Sequence, residues 1–150
     1  MKIKKLQDQI NILSDTDWKH LQSFLKSGLV KTSPAMQRIL GHAQRQRQNK
    51  QPIQQEKEEL LKIAFPKTNA NIKQLTNACS DLSVAIDQYF AFHHLQSEKQ
   101  LMGVLKAKAY GEKDNTYLFE RVLNQSLVYL EEKEEKALSL IHISEHTRPY

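Results

Sequence analysis

The feature that most constrains this 150-residue chain is a seam of mostly apolar residues between positions 72 and 93. Its members recur at alternating intervals of three and four: Ile72, Leu75, Cys79, Leu82, Ile86, Tyr89 and His93. That spacing holds a single stripe on one face of an α-helix, whereas a strand needs alternation at every second residue. It predicts a long helix that packs against other helices and is the most buried element, through Leu75, Cys79, Leu82, Ile86 and Tyr89.

The rest of the chain also favours helices. Only 4 Gly and 4 Pro punctuate it, fewer than an all-β fold needs for its turns. Apolar residues at helical spacing predict six further helices, over about residues 2–12, 15–26, 34–43, 54–65, 97–110 and 116–137. We therefore predict an all-α protein with about seven helices, arranged as an antiparallel helical bundle or as the start of an α-solenoid.

Several helix boundaries have their own signatures. Ser14 followed by Asp17 matches a capping box, and a hydroxyl residue before Pro34 is typical of a helix start. Gly111 is expected to break the sixth helix, and Asp114 or Asn115 to cap the seventh. The polar stretch 44–51 is interpreted as a solvated helix end or a loop.

The last two helices have predicted buried stripes of their own. Helical spacing places four apolar residues of the sixth helix on one face, and five of the seventh. The predicted stripes are Leu101, Met102, Leu105 and Ala109 in the sixth helix, and Phe119, Val122, Leu123, Leu127 and Leu130 in the seventh.

The formal charge is +5, and the excess of base lies in the N-terminal third, where residues 1–50 hold ten Lys or Arg against three Asp. Arg38, Arg45, Arg47 and Lys50 follow one another through the third helix and the polar stretch behind it. Such cations can meet phosphates, which makes a nucleic-acid-binding helical domain the alternative function. No helix-turn-helix signature and no interleaved aromatic residues accompany them, and a solvated linker explains the same composition.

Residues that would carry catalysis or hold a cofactor or metal are not recognisable. Cys79 lies inside the seam, where burial makes a thiol inert. His93 and His94 are adjacent, so a helix turns them about 100° apart and one ion cannot easily take both. We find no Gly-rich phosphate loop, nucleophile elbow or zinc spacing. This favours a non-catalytic interaction or scaffold module over an enzyme, with no cofactor.

The sequence also indicates a location. The N-terminus lacks the apolar core of a signal peptide, and no stretch approaches the roughly 20 apolar residues of a membrane helix. We therefore expect a cytoplasmic protein without a membrane partner.

Five short strings carry a family resemblance. They are Phe24-Leu25-Lys26-Ser27, Phe65-Pro66, Asn71 to Leu75, Ser80-Asp81-Leu82 followed by Phe90, and Leu105 with Phe119. They resemble the N-terminal region of a family of long, uncharacterised, all-helical bacterial proteins, over about residues 12–137. Gly28 replaces a proline of the first family motif, and Ala91 replaces the leucine of the family's Phe-Leu pair that follows Phe90. The resemblance implies an all-helical fold and no activity or catalytic residue.

The final 13 residues, 138–150, resemble a translated sequencing adapter. They differ from it only at His146, where the adapter reads proline, and one base change converts the codon. The alternative is a genuine short amphipathic tail. We expect residues 1–137 to be a helical domain, the N-terminal fragment of a longer protein, and 138–150 to add nothing to the fold. The partner would then be another protein or the missing C-terminal helices.

Overall fold

The computed structural model describes residues 2–50 and 56–146, and within them the chain is all-α with seven helices and no strand. This confirms the predicted fold class. The helices are α1 (Lys2–Ile12), α2 (Asp15–Lys26), α3 (Pro34–Gln48), α4 (Lys57–Ala64), α5 (Ile72–Ser97), α6 (Lys99–Glu112) and α7 (Thr116–His146).

The chain divides into two compact units, Met1–Ala91 and Phe92–Tyr150. The boundary falls inside α5, which contributes its first five turns to the N-terminal unit. The helical domain predicted over residues 1–137 therefore spans both units.

The core of the N-terminal unit is built from one apolar face of each of α1 to α5. Helix α5 supplies Leu75, Cys79, Leu82, Ile86 and Tyr89, all buried, so the middle of the seam packs as predicted. The two ends of the seam do not: Ile72 and His93 are exposed. Ile72 is the first residue of α5 and lies beyond the buried core.

Local capping explains where helices α2 and α5 begin. The Ser14 hydroxyl accepts a hydrogen bond from the Asp17 amide at 3.1 Å, and the Asp17 carboxylate accepts one from the Ser14 amide at 2.9 Å. This confirms the capping box at α2. A second reciprocal pair begins α5, where the Asn71 and Gln74 side chains each accept from the other residue's amide. Each pair satisfies backbone donors that a helix start leaves unpaired.

Polar side chains connect α1 to α5 across this core. Buried Gln9 donates to the Ser83 carbonyl at 3.1 Å and to the Asp87 carboxylate at 2.6 Å. Lys5 lies 2.7 Å from the other Asp87 oxygen. Tyr89 donates to Asp17 at 2.9 Å and so connects α5 to α2. Because a buried amide without partners is costly, these bonds specify the register of α1 on α5.

The second unit contains the hairpin of α6 and α7, and here the predicted stripe of α6 is wrong. Leu101, Leu105 and Ala109 are exposed, whereas Gly103 and Ala107 are buried. The physical reason is the close approach of α7: a Cβ built on Gly103 would lie 1.9 Å from the Ser126 hydroxyl. Small residues allow that approach, so α7 packs on the small-residue face of α6.

The predicted stripe of α7 is largely correct. Phe119, Val122, Leu123 and Leu130 are partly buried, whereas Leu127 is exposed. The side chain of Asn115 accepts from the Leu118 amide at 3.0 Å, so Asn115 is the cap of α7. Gly111 does not break α6, which continues to Glu112.

Helix α3 continues to Gln48, so most of the polar stretch 44–51 is the end of a helix, one of the two interpretations given for it above. Two other boundaries differ from the sequence predictions. Helix α4 begins at Lys57, and the expected restart at Pro52 to Gln54 lies outside the described residues. Helix α7 continues past Ala137 to His146, with Leu138, Leu140 and Ile141 exposed. The expected end at Pro149 also lies outside the described residues.

Candidate functional site

The outward face of α6 is an apolar surface that its own unit leaves uncovered. We define it as Leu101, Val104 and Leu105, which are 50%, 53% and 44% exposed. At about 100° per residue, these three side chains spread over roughly 100° of the helix, and the centre of this sector is roughly 130° from that of Gly103 and Ala107. Helix α6 therefore has two apolar faces, and α7 covers only one of them.

The packing of α6 on α7 holds this face in place. Gly103 lies against Ser126, and the ammonium of Lys99 lies 5.5 Å from the centre of the Tyr129 ring. The Ser126 hydroxyl donates in turn to the Val122 carbonyl at 3.0 Å. These contacts fix the rotation of α6, so the outward face is presented on a defined scaffold.

The outward face of α7 is less suited to an apolar partner. Tyr117 and Val128 are exposed there, but Glu120, Arg121 and Asn124 lie between them on the same helix surface. A partner on this face would have to desolvate charged groups, which costs free energy unless each is paired.

The four predicted phosphate contacts do not form one surface. The Arg47 guanidinium donates to the Leu13 carbonyl and lies 3.1 Å from the Asp15 carboxylate, so it joins α3 to the start of α2. Lys50 follows α3 in the left-handed region, with a φ of 53°, and is exposed. Arg38 and Arg45 do come together, because they are seven residues apart on α3 and so share a face.

Arg38 and Arg45 line a groove of about 580 Å³ between α3 and α4. The groove also contains Lys62 of α4, a cation that the sequence analysis missed. Nothing in the sequence near Lys62 marks it, because only the packing of α4 on α3 brings it opposite the arginines. The lining holds three bases and no acid: Pro34, Gln37, Arg38, Gly41, Arg45, Lys62, Ile63 and Pro66. We call this the α3–α4 groove.

The groups with shifted acidity are structural. Burial raises the pKa of the Cys79 thiol to about 11. Burial, followed by the hydrogen bond to Asp17, raises the pKa of Tyr89 to about 12. Both groups therefore stay protonated and unreactive at neutral pH. Over residues 2–50 and 56–146, no three or more His, Cys, Asp or Glu lie together in a way that could hold a metal ion.

Comparison with known proteins adds no assignment: no protein-family model, curated protein or solved structure matches the chain. Within the part of the chain that the structure describes, none of the helices combines the length and apolar character required to cross a membrane.

Proposed function

We propose that this protein is a non-catalytic helical interaction module, and that the outward face of α6 binds a helix of a partner protein. The observation that carries the proposal is the two-faced α6. Its small residues pack on α7, and its large residues Leu101, Val104 and Leu105 remain exposed. Apolar residues at i, i+3 and i+4 are the anchors by which one amphipathic helix packs against another.

The size of this face sets the strength of the contact. Full burial of a Leu or Val side chain stabilises by about 1.5–3 kcal/mol, and these three are already about half buried. Covering them therefore contributes roughly 2–4 kcal/mol. That alone corresponds to millimolar affinity at best, so the partner must also contact flanking residues such as Lys108. We expect a micromolar, reversible interaction.

The experiment compares two double variants of equal chemistry. Leu101→Gln with Leu105→Gln changes the outward face of α6. Leu29→Gln with Val84→Gln changes residues that are 65% and 51% exposed in the N-terminal unit. A partner captured from the source cells is purified and bound to each variant. The α6 variant should weaken binding at least tenfold while the control binds normally. Equal loss in both variants, or retention in both, would contradict the proposal.

A nucleic-acid-binding domain is the second candidate. Residues 1–91 hold 14 Lys or Arg against 8 Asp or Glu, whereas residues 92–150 hold 8 against 9. The N-terminal unit is thus net +6 and the second unit net −1. Affinity for duplex and single-stranded DNA, measured against salt, tests this candidate: a slope of several released ions supports it, and a flat response opposes it.

We also propose a cytoplasmic location. A single buried, unreactive Cys79 is compatible with a reducing compartment. Fractionation of source cells, with the protein detected by antibody, tests this.

A further inference from the structure

The α3–α4 groove combines positive charge with open space. It holds three cations and no acid among its lining residues, and its volume of about 580 Å³ falls in the size range of small-ligand sites. We propose that the groove binds a phosphate group, held by Arg38, Arg45 and Lys62. This site is separate from the outward face of α6, so it stands or fails independently of the interaction module.

The cations come from both walls of the groove. Arg38 and Arg45 are seven residues apart, which places them about 10 Å apart along α3 and within about 20° around it. Lys62 lies on α4, the opposite wall. A phosphate bound between these side chains would receive charge from two helices. That arrangement suits a ligand with several anionic oxygens better than a single carboxylate.

Arg38 is held in position before any ligand arrives. Its Nη1 donates to the carbonyl of Ala64, the last residue of α4, at 2.9 Å. That bond uses one of the several N–H donors of a guanidinium and leaves the others for a ligand. It also ties the two walls of the groove together. A fixed guanidinium loses less side-chain entropy on binding, which favours affinity.

Gly41 provides the space between the two arginines. It lies in the groove lining, and a Cβ built on it would meet nothing within 4 Å. The first atom of a larger side chain at this position therefore has room, and the rest of the side chain would extend into the groove. This allows the groove to be blocked with no change in charge.

The adjoining groove differs in charge and serves as a contrast. It has a volume of about 520 Å³ and shares Pro34, Arg38 and Pro66 with the α3–α4 groove, but its other charged lining residues are one base, Lys67, and one acid, Asp81. A carboxylate in the lining repels an anion. We therefore assign the phosphate to the side of Arg38 that carries Arg45 and Lys62.

The test measures binding of inorganic phosphate, pyrophosphate and a short single-stranded DNA to the full chain by calorimetry, with chloride at matched ionic strength as the blank. Three variants change the groove: Arg45→Gln, Lys62→Gln and Gly41→Leu. Lys19→Gln removes one exposed charge from α2 and is the matched control. Circular dichroism verifies that each variant is folded. Arg45→Gln and Lys62→Gln change exposed residues, so we expect both variants to fold.

We expect Arg45→Gln and Lys62→Gln each to weaken pyrophosphate binding about tenfold, as loss of a charge-assisted contact does, while Lys19→Gln leaves it unchanged. Gly41→Leu should also weaken it, because the side chain fills the space between the cations. If the same variants weaken DNA equally, the phosphate can come from a free anion or from a nucleic-acid backbone. If the groove variants weaken only the binding of DNA, the bound phosphate belongs to a nucleic-acid backbone. The proposal is overturned if Lys19→Gln matches Arg45→Gln, if Gly41→Leu has no effect, or if no phosphate species binds above chloride.

Discussion

Replacement of Gly103 by alanine tests the close packing of α6 on α7, on which the outward face of α6 depends. The added Cβ would lie 1.9 Å from the Ser126 hydroxyl and 3.0 Å from its Cβ. Rotation of the hydroxyl relieves only the first contact and breaks the hydrogen bond to the Val122 carbonyl. The second contact remains, so the two helices must separate.

The expected magnitude follows from three opposing contributions. Alanine is about 1 kcal/mol better than glycine within a helix. Overpacking of a tight contact costs about 1–3 kcal/mol, and the lost hydrogen bond about 1 kcal/mol. We therefore expect Gly103→Ala to destabilise the pairing of α6 and α7 by about 1–3 kcal/mol. The same replacement at Gly41, where a Cβ meets nothing, should stabilise α3 by about 1 kcal/mol.

Amide hydrogen exchange followed by mass spectrometry is the suitable assay, because peptides from α6 and α7 report their own opening free energy. In a Ser126→Gly background, the obstructing atoms are absent, so Gly103→Ala should change sign and stabilise α6. The coupling energy of this double-mutant cycle should be about 2–4 kcal/mol. If Gly103→Ala slows exchange in the wild-type background as Gly41→Ala does, the close approach of the two helices is refuted.

Three further predictions concern stability. Deletion of residues 138–150 should change the free energy of unfolding by less than about 0.5 kcal/mol in thermal melts, and a loss of 2 kcal/mol or more would show that the tail is integrated in the core. The raised pKa of Tyr89 means that the unfolded chain loses the phenol proton at lower pH than the folded chain does. The contribution of Tyr89 to stability is therefore full below about pH 10 and is lost from pH 10 to 12. Tyr89→Phe should remove up to about 2–3 kcal/mol of that loss in urea titrations at alkaline pH, and an unchanged dependence of stability on pH would contradict the burial of the hydroxyl. Lys50→Gly should stabilise by about 1 kcal/mol because its φ is 53°, and more than Asp114→Gly, since Asp tolerates that conformation; equal melts for wild type and Lys50→Gly would contradict the strain.

The N-terminal unit follows closely from its sequence. The bounds of α1 and α2, the cap at Ser14 and the buried centre of the seam were all predictable, because each depends on residues close together in the chain. The α3–α4 groove was only partly predictable. Arg38 and Arg45 share a face by spacing alone, whereas Lys62 joins them only through tertiary packing. The bond of Arg47 to Leu13 likewise depends on a neighbour 34 residues away.

The second unit shows why apolar periodicity can select the wrong face. Apolar residues at helical spacing predict burial, and the four residues of the predicted α6 stripe outnumber the two small residues of the other face. Yet the face that packs is the one with Gly103 and Ala107, four residues apart, and Gly103 lies against Ser126. Small residues at that spacing allow helix backbones to approach closely, and this signal was present in the sequence.

Because the α6 leucines are exposed, their substitution is expected to affect partner binding more than the stability of the isolated chain. Leu101 and Leu105 are about half exposed in the folded chain, so replacing both by Gln costs the isolated chain only the buried half of their transfer free energy, roughly 1.5–3 kcal/mol together. A bound partner would bury the same side chains fully, and the replacement would then cost most of their transfer free energy. The pair Leu101→Gln and Leu105→Gln should therefore lose no more than about 3 kcal/mol of unfolding free energy in thermal melts while losing its partner. A large loss of stability in the isolated chain would instead show that the face is covered by the protein itself, and the interaction proposal would lose its surface.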